Sequence, residues 1–195
     1  MALGHFDKEG MLGNRREKRD TRGSVGTEGG MVLGLSIGAF TILHVLISLI
    51  AIAAGLVVLY GMIRSQRTAG LTACFLATTV ATTLTGFLFP ITALTPALIT
   101  GIFSSVVLAI ALAALYGFKL AGQWRTFYVI AAVTSLYLNV FVLVVQSFLK
   151  VPSLNALAPN GNEPPFVIAQ GAVLLAFVAL GYLAVKRFRP ARVPA

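Results

Sequence analysis

Between Val32 and Val185 the chain carries only six charged side chains: Arg64, Arg67, Lys119, Arg125, Lys150 and Glu163. Four of the five basic ones fall in or beside two short links between long apolar runs. About twenty apolar residues, rising about 1.5 Å each as a helix, cross the ~30 Å of bilayer hydrocarbon. Five such runs follow one another, over residues 32–63, 69–89, 96–118, 124–149 and 166–185. Backbone polar groups in lipid must be satisfied within a helix or a closed barrel, and no barrel-type alternation is present. The expected fold is therefore all-α, a polytopic membrane protein of five transmembrane helices. Pro96 falls in the first turn of the third span, where its missing N–H is harmless, and Pro90 closes the second. The first run exceeds the needed length, so its beginning is expected to tilt or to project beyond the hydrocarbon.

Composition agrees with one membrane domain over residues 31–189, followed by a short tail over 190–195. Charged residues make up 11% of the chain, against about 25% in soluble domains. Residues 1–30 differ in kind. They hold five of the six acids (Asp7, Glu9, Glu17, Asp20, Glu28), six basic residues, seven glycines and almost no large apolar side chain. A segment of that composition buries too little surface to offset its ordering entropy, so disorder is expected there. It contains no apolar stretch leading to a small-residue cleavage site. Met31 stands where the apolar sequence begins, and the tail reads as a dispensable extension or a mis-called start.

Five spans put the two ends of the domain on opposite faces. Arg64, Arg67, Lys119, Arg125 and the group Lys186, Arg187, Arg189 and Arg192 share one face; Lys150 and the nearly neutral tail share the other. The positive-inside rule makes the first face cytoplasmic, with the N-terminus outside and the C-terminus inside. The net charge of +9 is thus a topology signal. It forms no basic stripe interleaved with aromatics, so nucleic acid is not an expected partner. Leu59-Tyr60-Gly61 before Arg64 matches Leu115-Tyr116-Gly117 before Lys119. Two inward-running helices ending in the same aromatic anchor are the expected reason, with a two-helix duplication as the alternative.

Packing signals are of two kinds. Gly101, Ser105, Ala109, Ala113 and Gly117 recur every four residues in the third span and read as a small-residue ridge. The ridge is expected to receive another helix of the same chain, with a homodimer seam as the alternative. The first span offers Gly34, Gly38, Ala51 and Gly55. Threonines 72, 78, 79, 82, 83 and 85 spread around the second span. They are expected to bond back to carbonyls one turn earlier instead of lining a water path.

Ionisable groups inside a span default to a functional hypothesis, and His44 is the candidate. It lies twenty residues before Arg64, or ~30 Å along a helix, near the outer edge. Asn139 and Gln146 in the fourth span, Gln170 in the fifth and Glu163 in the preceding loop fall toward the same face. These five residues are expected to form an outer-facing ligand pocket between the first, fourth and fifth helices. Interhelical hydrogen bonding is the competing reading. No span holds an acid, so paired-carboxylate proteolysis and proton-coupled transport are disfavoured. Cys74 is the single cysteine; no metal-ligand spacing or phosphate loop is present, and no metal is expected. No cofactor is expected either, although a haem of mixed ligation or a quinone at His44 stays open.

The segment from Phe40 to Pro90, with His44-Val45, Gly55-Leu56-Val57-Val58-Leu59-Tyr60-Gly61 and Thr85-Gly86-Phe87, resembles a group of small bacterial inner-membrane proteins without an assigned activity. So do Tyr137-Leu138-Asn139-Val140-Phe141-Val142-Leu143-Val144-Val145-Gln146 and Glu163-Pro164-Pro165-Phe166. The resemblance covers residues 31–189 and implies a bacterial inner-membrane location, with no catalytic residue to carry over. The expected function is a non-catalytic accessory or small-ligand-binding subunit, partnered by the bilayer and by another membrane protein or a second copy. The rival is a redox-linked quinone- or haem-binding protein centred on His44. A small-solute permease comes third, because five spans fit poorly with symmetric halves.

Overall fold

The computed structural model describes residues 31–89 and 96–189. The tail over 1–30, Pro90 and residues 190–195 lie outside the described residues. The chain divides into two compact units, 1–38 and 39–195.

In the first unit the described residues open with a minimal antiparallel hairpin. Strand β1 (Met31–Val32) pairs with β2 (Leu35–Ser36), Met31 opposite Ser36 and Val32 opposite Leu35. Leu33 and Gly34 between them have φ of 53° and 78°, the pair of positive values that a tight primed hairpin turn needs. Two left-handed residues in a row cannot belong to a right-handed helix. The first helix therefore begins at Ile37, not at Val32, and the expected overlong span is shorter.

Six helices follow: α1 (Ile37–Ile63), α2 (Ala69–Phe87), α3 (Pro96–Leu112), α4 (Trp124–Lys150), α5 (Pro152–Asn155) and α6 (Pro164–Arg187). A π-helical turn, Ala113–Gly117, continues α3. All but the single-turn α5 are long and apolar enough to cross a membrane. The fold is thus the all-α, five-span architecture expected from the charge spacing. Span ends agree to within a few residues, and Pro96 does open α3.

Helix ends are closed by backbone geometry, because the apolar runs supply no capping side chains. At the end of α1, Gln66 N–H donates to the Gly61 carbonyl (2.8 Å) and Ser65 N–H to Met62 (3.0 Å). Ser65 takes φ of 55°. This is a Schellman closure with serine in the left-handed position usually given to glycine. After α3, Phe118 N–H donates to Ala113 and Leu120 N–H to Ala114, and Lys119 and Leu120 turn the chain at positive φ.

Helix α4 is the hub and the most buried of the five spans. Tyr128, Val129, Ala132, Ser135 and Leu136 on it are almost fully enclosed. Helix α1 reaches it at Gly55: a Cβ there would lie 2.6 Å from Leu136 Cδ1 and 2.9 Å from the Phe75 ring of α2. Ala51, one turn earlier, is fully buried, so Ala51 and Gly55 form a small-residue seam. Helix α6 meets α4 at Gly181, where a Cβ would lie 3.3 Å from Val133. It is the most peripheral span.

The four-residue ridge of α3 does not serve as this kind of seam. Gly101 packs against the Phe87 ring and Ser105 Oγ donates to the Gly101 carbonyl, but Ala109, Ala113 and Gly117 are exposed. The buried face of α3 runs instead through Val107, Leu108, Ala111, Ala114 and Leu115. Four residues span about 400° of a 3.6-residue helix, so each step advances about 40° and five positions cannot share a face.

Large apolar side chains cover the outside of the bundle, among them Ile42, Leu46, Leu49, Leu56, Ile168, Leu175 and Val178. At its basic end, aromatic rings carry the cations. Arg64 lies over the Tyr60 ring at 5.1 Å and Lys186 over Tyr182 at 4.6 Å. Trp124 stacks flat on Phe118, with centroids 3.7 Å apart. Paired amphipathic rings and cations at one level are the anchors of a membrane–water interface.

Candidate functional site

The second helix, read from sequence as a self-satisfied threonine carrier, organises the polar groups of the bundle. Its hydroxyls do bond back one turn: Thr78 to Cys74, Thr79 to Phe75, Thr83 to Thr79 and Thr85 to Ala81. Three of them also receive polar groups from neighbouring helices. His44 Nδ1 of α1 lies 2.7 Å from Thr85 Oγ1. Ser48 Oγ lies 3.3 Å from Thr82 Oγ1, and Asn139 Nδ2 of α4 donates to Thr79 Oγ1 at 3.4 Å.

The His44 contact fits one tautomer. Thr85 Oγ1 also lies 2.7 Å from the Ala81 carbonyl and 3.1 Å from that of Thr82. With its single proton on either carbonyl, the hydroxyl accepts from Nδ1–H, and Nε2 keeps its lone pair. The half-buried ring is held edge-on by Phe89, centroids 5.3 Å apart. Phe89 in turn packs on the enclosed Phe40. Gly86 leaves the remaining room, since a Cβ there would touch His44 Cε1 at 3.8 Å.

The other predicted ligand residues are placed separately. Gln170 Nε2 donates to the Phe141 carbonyl of α4 at 3.2 Å, while its Oε1 is buried without a partner among the described residues. Gln146 is exposed. Glu163 belongs to the loop before α6, where its carboxylate accepts from Asn160 N–H (3.0 Å), the Asn160 amide (2.7 Å) and Asn162 N–H (3.1 Å). Partial desolvation pushes this carboxyl up, but those hydrogen bonds outweigh it and hold it below its ordinary value. No hydrogen bond or ring contact among the described residues joins His44, Asn139, Gln146, Gln170 and Glu163 to one another.

Interhelical hydrogen bonding therefore describes three of the five, and its common partner is α2 for His44 and Asn139. Sequence reasoning missed Thr85 and Thr79 as the partners of His44 and Asn139, and Thr82 as the partner of Ser48. The available signal was the spacing itself: Thr72 and Thr79 sit seven apart on one side of α2, Thr82 and Thr85 three apart on another.

With five apolar helices, a lipid-facing apolar exterior and an internal polar seam, the chain is a multi-pass integral membrane protein. Comparison with protein-family models, curated proteins and solved structures gives no match.

Proposed function

We propose that the protein is a non-catalytic accessory or small-ligand-binding subunit of a bacterial inner membrane. Its N-terminus is outside and its C-terminus cytoplasmic. One observation carries the first part. Between the helix ends, His44, Asn139 and Gln170 bond to hydroxyls and a carbonyl of neighbouring helices, and the spans hold no carboxylate. Such a seam sets helix register and holds a binding surface. The orientation rests on the gathering of Arg64, Arg67, Lys119, Arg125, Lys186 and Arg187 at one end of the bundle. The bacterial location rests on the sequence resemblance. Purification in a mild maltoside detergent, with mass spectrometry of what accompanies the chain, tests the role. A stoichiometric membrane partner or small molecule is expected, and a chain purified alone that turns over a substrate overturns the reading. Phosphatase and fluorescent-protein fusions at the C-terminus test orientation; an external C-terminus reverses it.

The His44 geometry favours a second reading, a redox-linked site. An imidazole whose Nδ1–H is fixed and whose Nε2 lone pair is presented has the form of an axial haem ligand. It also accepts a hydrogen bond from a quinol hydroxyl. Bis-histidine ligation does not fit, because His44 is the sole histidine after residue 30. A Soret band in the purified protein, or quinol in its organic extract, supports this second reading over the first.

A further inference from the structure

At the basic end of the bundle, opposite His44, the links α1–α2 and α3–α4 close around a cavity of about 80 Å³. Val58, Met62 and Leu115 make its apolar floor, and Phe188, just past α6, packs into one wall. The polar wall consists of Thr72 and Tyr128, only 8% and 2% exposed. Arg67 stands exposed at the rim.

Three features of this cavity point to an anion. The first is charge: Glu163 is the sole carboxylate among the described residues and precedes α6 at its far end, so no described side chain neutralises Arg67. The second is donor supply. Two hydroxyls on the wall can donate, beside a guanidinium with its fork of N–H groups. The third is the start of α2 on the same wall. Thr68 places no side chain over the first turn, so its N–H groups add positive potential beside Ala69.

We propose that this cavity binds a phosphate group. Arg67 grips two of its oxygens, and the Thr72–Tyr128 pair donates to a third. A tetrahedral oxyanion accepts from several directions at once, which suits donors arriving from a rim, a wall and a helix start. Whole small-molecule pockets run to about 300–1,000 Å³. This one holds the phosphate alone, with whatever the phosphate is attached to lying outside past the exposed Tyr116. Free phosphate and a phospholipid headgroup share this chemistry. The site stands or falls independently of the His44 readings.

The test uses the full chain in a phosphate-free maltoside detergent. One arm titrates inorganic phosphate; the other titrates short-chain phosphatidylglycerol and phosphatidic acid. Thermal unfolding and native mass spectrometry give the readout. Saturable stabilisation in the first arm identifies free phosphate, and saturation in the second arm alone identifies a headgroup. In the saturating arm Arg67→Gln is expected to weaken binding about tenfold or more, the loss of a two-pronged charge-assisted contact. Tyr128→Phe weakens it in the same direction, while Arg64→Gln, outside the cavity, stays within about twofold. Arg67 is exposed, so its variant folds and decides the matter even if Tyr128→Phe does not. Absence of saturation in both arms overturns the proposal, as does an Arg64→Gln loss equal to that of Arg67→Gln.

Discussion

His44 and Thr85 face each other across the α1–α2 interface at 2.7 Å, and the threonine hydroxyl also lies 2.7 Å from the Ala81 carbonyl of its own helix. The ring is therefore oriented by an acceptor that cannot rotate away without breaking its bond to Ala81. Thr85→Val removes the acceptor at nearly constant shape. The expected cost is about 0.6 kcal/mol, the average for interhelical hydrogen bonds in membrane proteins. The sharper sign is spectroscopic: the ring-nitrogen shifts of His44 should move from a single Nδ1–H tautomer to a mixture. Unchanged shifts would remove the tautomer assignment.

Gly55 and the α3 ridge make opposite predictions from similar sequence patterns. A methyl group at Gly55 meets Leu136 and Phe75 inside van der Waals distance, so Gly55→Ala should destabilise by about 1–3 kcal/mol, as overpacked cores do. Ala109 is exposed, and Ala109→Leu should change unfolding of the isolated chain by no more than about 0.5 kcal/mol. Unfolding in graded denaturing detergent measures both. A large cost at Ala109 with none at Gly55 would reverse the assignment of the seam.

Ser135 is 1% exposed and its Oγ has no hydrogen-bond partner among the described residues. A buried, unpaired hydroxyl costs about 1–3 kcal/mol of desolvation. Ser135→Ala should thus leave stability unchanged or raise it by up to about that amount. Destabilisation on the same denaturing-detergent assay would show that the hydroxyl is held by something it needs.

Glu163 ties down the loop before α6 through three hydrogen bonds to its charged form. Its carboxyl is held below the ordinary value of 4.5. For a depressed carboxyl the sign is fixed: loop order is fully present above the ordinary value and is lost only as pH falls through the depressed one. The backbone amide signals of Asn160 and Asn162 should titrate together with a midpoint below 4.5. Glu163→Gln should abolish that titration. A midpoint at or above the ordinary value would mean that the loop contacts are not made in solution.

The spans were legible because charges cannot sit in hydrocarbon, so Arg64, Lys119 and Lys150 mark helix ends without regard to tertiary structure. The start of α1 was not, since Leu33 and Gly34 are as apolar as a span and only their backbone angles break the helix. Depth along a helix was readable from residue counts, and His44, Asn139 and Gln170 could be ranked by it. Which neighbour each would face was not readable. An apolar helix surrounded by lipid has no hydrophobic stripe to point inward, so nothing in the period said that His44 and Asn139 would turn to α2. Arg67 was read as a topology marker, and Tyr128 lies on a different element, α4. Their convergence with Thr72 depends on a link and two helices meeting, which no single segment encodes.

Beyond α6 the chain turns back on the bundle. Phe188 is 3% exposed and packs on Tyr128, its carbonyl accepts from Arg125, and Arg189 N–H donates to Ser65 Oγ at 2.9 Å. These contacts bind the most peripheral span to α4 and to the end of α1. They also follow it in the order of synthesis. Helix α6 is thus fastened through its end. Until Phe188 docks, the first four spans can settle around α4 while α6 stays free to slide in depth or to meet a neighbouring protein.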